Sequence, residues 1–228
     1  MSNNIKLKHM SYYKSIVLFI CLTCTSFNAW SASTFNPKDS TAISIEKPRP
    51  IRFLPSSRPH INELSAWFGY SYDSMRLWGK TRNTTLTSFG LQYNRKLLNF
   101  YGHTVKYTFR FIFSKYDYPE FKVGHPRNTL SGYGISPLGF QINFRGNHLI
   151  QPFFNSSGGI MILDGPFPDQ RGKKFNFTFS AGGGLEFKLT QSFSFSLGIK
   201  FHHLSNFQRG QINPGVDSGL LYSSITIF

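Results

Sequence analysis

Phe193-Ser194-Phe195-Ser196-Leu197-Gly198-Ile199-Lys200-Phe201-His202-His203-Leu204-Ser205 is the stretch whose pattern decides the fold. The odd positions from Phe193 to Phe201 are all apolar, and Ser, Gly and Lys stand between them. A period of two sends alternate side chains to opposite faces of a strand. The same alternation recurs upstream. Leu64, Ala66, Phe68, Tyr70 and Tyr72 form one apolar set; Phe89, Leu91 and Tyr93 form a second. Val105, Tyr107, Phe109, Phe111 and Phe113 follow, then Leu138, Phe140, Ile142 and Phe144. A looser segment carries Ile150, Phe154, Ile160 and Ile162 on one parity, and Phe175, Phe177, Phe179, Leu185 and Phe187 come next. Val216 to Phe228 closes the chain. These are eight expected strands, each able to supply roughly the 9–11 residues that a tilted membrane strand needs.

The connections alternate in length. Long loops are expected near 75–84, 116–130, 163–173 and 206–215, and short turns near 98–102, 145–147 and 190–191. Long loops at one end and short turns at the other are the mark of an outer-membrane barrel. An even strand number then leaves both ends of the barrel chain at the short-turn, periplasmic end. A soluble eight-stranded barrel, apolar inside and polar outside, is the competing reading. Three features favour the membrane version. One parity carries Phe, Leu and Ile while the other carries small or polar residues that fill a narrow lumen. Lys106, Arg110, Glu186 and Lys200 share the polar parity and are placed for a lumenal charge network. The chain ends in Phe228, as many outer-membrane barrels do. The expected fold is all-β, an eight-stranded antiparallel transmembrane β-barrel with an N-terminal extension.

Composition agrees. Of 228 residues only 15% are charged, against about a quarter in soluble domains, and 25 are Phe. That aromatic content argues against a disordered chain, and the scarcity of Ala and Glu argues against a coiled coil. The aromatics read as a lipid face and interfacial girdles, not as a nucleic-acid surface.

Lys6, Lys8 and Lys14 precede the apolar run Ile16–Cys24, and Ala29, Ser31, Ala32 and Ser33 follow. This is the layout of a secretory signal peptide, so residues 1–31 are assigned to one. Removing its three lysines and no acid lowers the formal charge from +15 to about +12. Cys21 and Cys24 both lie in it, which leaves a mature chain without cysteine. Residues 32–61, rich in Pro, Ser and Lys, read as a flexible extension, and 62–228 as the barrel. No other segment reaches roughly 18 apolar residues, the length of a membrane-crossing helix.

The apolar parity of the quoted stretch continues past Phe201 into His203 and Ser205, so an imidazole and a hydroxyl sit side by side on the outward face. They lie at the long-loop end. Polar groups facing lipid cost free energy unless partnered. Asp217, at the start of the last strand, has the parity of Leu221, Ile225 and Ile227, although Leu220, Tyr222 and Phe228 take the other. If it meets His203, the set is Ser205, His203 and Asp217. A serine is activated when an imidazole takes its proton and a carboxylate holds the imidazole. That chemistry is acyl transfer, here ester hydrolysis at a membrane surface. An oxyanion hole is also required, with the side chains of Asn206 and Asn213, or nearby loop N–H groups, as candidates. The bland alternative is that His203 and Ser205 mark the interfacial end of a strand. His202 and His203 face opposite ways, which disfavours a metal site, and no cofactor is expected.

These residues carry a resemblance. His203-x-Ser205-Asn206, then Asn213-Pro214-Gly215, then Asp217 are similar to the outer-membrane lipid A 3-O-deacylase family of PagL type, acyloxyacyl hydrolase-like. The resemblance spans the barrel and is specific at its C-terminal end. It implies a hydrolase with a site on the lipid-facing outside: Ser205 as nucleophile, His203 as general base, Asp217 as orienting acid and Asn213 at an oxyanion-hole position. The family acid is more often Glu; the shorter Asp calls for a small strand adjustment. Gly is common soon after the Ser-Asn pair, where this chain has Phe207. The implied partners are lipid A, the lipid portion of lipopolysaccharide, and outer-membrane lipid, with a homodimer open and no nucleic acid. Arg76, Lys80, Arg82, Arg171, Lys173, Lys174 and Arg209 then suit the substrate phosphates. A non-enzymatic small barrel, serving adhesion or envelope integrity, is the alternative function.

Overall fold

The computed structural model describes residues 61–119 and 127–228. The expected signal peptide (1–31) and all but the last residue of the expected extension (32–61) lie outside the described residues. The rest forms one antiparallel sheet: β1 (Asn62–Ser71), β2 (Ser74–Met75), β3 (Thr85–Phe100), β4 (His103–Pro119), β5 (Arg127–Asn143), β6 (Ile150–Phe167), β7 (Lys173–Lys188), β8 (Phe193–Ser205) and β9 (Val216–Ile227). Each long strand pairs with the next, and β1 also pairs with β9, from Leu64↔Ile227 to Tyr70↔Leu221. The ring is therefore closed, and a closed ring satisfies every strand's backbone within the sheet, as lipid demands. Eight long strands match the eight read from the sequence. The ninth, β2, is a two-residue addition that pairs Ser74 with Ser218 and Met75 with Asp217.

The outward parity is the predicted one. Leu64, Phe68, Phe89, Leu91, Phe111, Phe113, Ile150, Phe154, Leu197 and Ile199 are exposed, as a lipid-facing surface requires. The ambiguous last strand resolves the same way: Leu221, Ile225 and Ile227 face out, while Leu220 and Tyr222 are buried inside. The lumen is packed with polar side chains. Lys106 Nζ lies 2.7 Å from Glu63 Oε2 and 3.6 Å from Glu186 Oε2, and Lys96 Nζ lies 3.2 Å from Glu63 Oε1. The expected charge network is thus half right. Lys106 and Glu186 belong to it, together with Glu63 and Lys96. Arg110 and Lys200 do not, because neither meets a carboxylate among the described residues.

Two expected loops are shorter than read. β4 runs on to Pro119, β5 begins at Arg127, β6 reaches Phe167 and β7 begins at Lys173, so much of 116–130 and 163–173 is strand. The pattern hid this because the lumen changes character near the long-loop end. Tyr116, Tyr118, Met161, Leu163, Phe167, Leu86 and Leu204 are buried in an apolar cluster. In β6, Ile160 and Ile162 on one parity and Met161 and Leu163 on the other erase the alternation; in β4 it inverts, with Lys115 and Asp117 on the outward parity and Tyr116 and Tyr118 buried. β5 adds a bulge between Ile135 and Leu138, around Pro137, where pairing to both neighbours slips. A bulge reverses which parity faces out. Tyr133 is accordingly exposed on one side of it, and Leu138 and Phe140 on the other.

Candidate active site

β8 and β9 pair without a register shift, and His203 stands directly opposite Asp217. His203 Nδ1 is 2.5 Å from Asp217 Oδ1. The shorter acid thus reaches the imidazole, with the β8–β9 register unbroken at that point. Parity sets this meeting: cross-strand partners project from the same face, with Cβ atoms about 5 Å apart.

Asp217 is 0% exposed although its parity points outward. The segment after β2 covers it. Backbone N–H groups of Leu77, Trp78 and Gly79 donate to Asp217 Oδ2 at 2.9, 2.5 and 2.7 Å. Four N–H donors thus converge on one carboxylate and fix its position as well as its charge. Gly79 makes the approach possible, since a Cβ there would lie 2.8 Å from Val216 Cα and 2.9 Å from Asp217 N. Gly215, at φ +58°, lets the chain turn into β9; a Cβ there would lie 3.2 Å from His203 Cε1. Trp78 packs edge-on to His203, with ring centroids 5.5 Å apart, and against Phe201 and Phe179 at 5.2 and 5.6 Å. Its ring is half exposed on the outer face beside the imidazole.

Ser205 follows on the same parity, opposite Phe177 of β7. It keeps 9% of its surface, and its hydroxyl has no hydrogen-bond partner among the described residues. No bond joins it to His203 Nε2 in this structure; such contacts often tighten only when substrate is bound. The 206–215 loop is tied on two sides. Lys80 N and Thr81 N donate to Pro214 O and Gly215 O at 2.6 and 3.2 Å, and Gln211 N donates to Arg171 O at 2.8 Å. Within the loop, Asn206 N donates to Asn213 Oδ1 at 2.9 Å and Asn206 Nδ2 to Ile212 O at 2.8 Å. The two asparagines therefore differ. The Asn206 amide donor is committed to the loop, whereas Asn213 Nδ2 has no partner among the described residues. Phe207 and Gln208 adopt φ of 53° and 63°, the left-handed conformation that glycine takes more readily.

The pattern brought together His203, Ser205 and Asp217. It missed Trp78, the three-N–H cradle and Gly79. A cradle of backbone N–H groups has no side-chain signature; the only trace in the sequence is a glycine in a long loop. Of the basic loop residues, Arg76, Lys80, Arg82, Lys173 and Lys174 are exposed, Arg171 pairs with Asp169 at 2.7 Å, and Arg209 lies 5.1 Å from the Phe175 ring centroid.

An outward-facing His–Asp pair beside a serine, on a closed eight-stranded ring, defines the class: an outer-membrane barrel with a hydrolase-type site. A family description, Lipid A 3-O-deacylase (PagL), matches residues 66–226, and the chain belongs to that family. The family is one of lipid A deacylases, and its setting is the bacterial outer membrane. The crystal structure of the outer membrane enzyme PagL is similar in fold, at 19% identity and TM-score 0.51, over 71% of this chain and 97% of that one. Neisserial surface protein A matches at 11% identity and TM-score 0.48, over 73% of this chain and 96% of that one. Ail of Yersinia pestis matches at 16% identity and TM-score 0.40, over 72% of this chain and 98% of that one. No curated protein sequence matches the chain.

Proposed function

We propose that this protein hydrolyses the ester-linked 3-hydroxyacyl chain of lipid A at the outer leaflet, as a serine esterase. The observation that carries the reading is the His203–Asp217 pair, held on the outer face with Asp217 cradled by three backbone N–H groups. With Nδ1–H directed at the carboxylate, Nε2 is the ring atom left to accept a proton. Ser205 Oγ attacks the ester carbonyl carbon as His203 Nε2 takes its proton. The tetrahedral intermediate collapses, the lipid A alkoxide leaves with that proton, and Ser205 carries the hydroxyacyl group. Water, deprotonated by His203, then releases the hydroxy acid and restores the serine. Asn213 Nδ2 is the side-chain donor in reach of the loop for the oxyanion; one such donor is worth roughly 10²–10³ in rate. Exposed Arg and Lys around the site attract the phosphates of lipid A.

The test is mass spectrometry of lipid A from cells expressing the wild type or Ser205→Ala at matched barrel levels. Loss of one hydroxyacyl chain with the wild type only is the expected result. An unchanged lipid A in both overturns the reading and favours the non-enzymatic barrel of adhesion or envelope integrity. Loss in both removes Ser205 as the nucleophile.

A further inference from the structure

The lumen holds two cations that the outer-face site does not use. Arg110 and Lys200 are buried and line one small cavity together with Trp67, Ser180 and His202. No residue around it is acidic. Three donors there lack a hydrogen-bond partner: Trp67 Nε1, Arg110 Nη2 and Lys200 Nζ. The remaining contacts do not neutralise the two charges. Arg110 Nε donates to the Gln92 amide oxygen, and Nη1 lies 3.4 Å from Ser157 Oγ. Lys200 Nζ sits 3.2 Å from the centroid of the Tyr222 ring, a cation–π contact. His202 competes for nothing, because Ser180 and Tyr116 engage both of its ring nitrogens at 2.9 and 3.1 Å.

The neighbouring cation shows the contrast. Lys106 lies between Glu63 and Glu186, a full ionic complement. A buried charge without such a partner costs several kcal/mol. A water molecule accepts from these donors but is neutral, so it leaves the charge of the Arg110–Lys200 site unanswered. A phosphate does not fit, since the cavity of about 10 Å³ is close to that of one water-sized sphere. The chemistry that answers all three donors and the charge is a single small anion.

We propose that this lumenal cavity binds a monatomic anion of the halide class, held by Trp67 Nε1–H, Arg110 Nη2 and Lys200 Nζ. The flexible Lys200 stem adjusts to its radius. The anion cross-links β1, β4 and β8 inside the barrel and is independent of the hydrolytic site.

The test uses the full chain folded in detergent micelles and melted in sodium gluconate, with chloride or bromide substituted at constant ionic strength. The wild type is expected to gain about 3–5 °C, saturating with halide, as for a ligand that binds only the folded state. Lys200→Met is expected to lose that gain. Trp67→Phe, which removes one neutral donor, is expected to raise the half-saturating halide concentration about tenfold, and serves if Lys200→Met does not fold. Bromide-soaked crystals are expected to show an anomalous peak between the three donors. A wild type indifferent to halide overturns the proposal, and so does an equal gain in the wild type and the variants that fold.

Discussion

His202 and His203 are neighbours in the chain and opposites in the fold. His202 points into the lumen, where Tyr116 and Ser180 occupy both ring nitrogens. His203 points outward, where Asp217 occupies Nδ1 and no described residue bonds to Nε2. The first imidazole is a cross-brace linking β4, β7 and β8. The second is oriented but left with a basic nitrogen, which a general base needs. The difference is one residue of strand parity, and it separates a histidine bonded at both ring nitrogens from one bonded at Nδ1 alone among the described residues.

The largest effect should come from exchanging the two roles. His203→Gln is expected to lower lipid A deacylation by about 10³-fold or more, and His202→Gln to leave it within about threefold. Release of hydroxy acid by the purified barrel measures both; similar losses would erase the distinction. Asp217→Asn keeps the shape of the cradle but presents an amide to the imidazole. The expected loss is roughly 10³-fold with melting little changed, because the wrong tautomer is then favoured. Gly79→Ala sharpens the comparison from a distance. Its Cβ must displace the backbone at Val216 and Asp217, and a shift of this kind is expected to cost roughly 10- to 100-fold in kcat. An unchanged rate would mean that the cradle does not position the acid. The smallest effect belongs to the lumen. Tyr116→Phe removes one bond to His202 and should cost about 1 kcal/mol in urea unfolding while leaving turnover unchanged.

The parts of the fold that were legible are those in which one face meets lipid and the other a polar lumen. β7 and β8 were read nearly end to end on that basis. The outer portions of β4 and β6 were not, because Tyr116, Tyr118, Met161 and Leu163 make the lumen apolar there, which removes the contrast in β6 and reverses it in β4, where Lys115 and Asp117 take the outward parity. In β5 the Pro137 bulge reverses parity midway, so only the half from Leu138 was seen. At the site, Ser205 and His203 were legible because parity is a local property. The roles of Asn206 and Asn213 were less so: which amide remains available depends on how the 206–215 loop closes on itself.

Periodicity alone determined that this chain makes eight strands and that His203 and Ser205 share a face; the face of Asp217 was settled by the β8–β9 register. Residues two apart on a strand point the same way whatever the rest of the chain does. Only the tertiary structure decided what holds Asp217. The N–H groups of residues 77–79 stand 138 to 140 positions away in the chain and reach the carboxylate because β1 closes the ring on β9. Closure also brings Arg110 and Lys200 to one cavity, while Lys106 falls between two glutamates. Register across distant strands is a non-local quantity, set by packing the whole ring at once, and no local pattern encodes it.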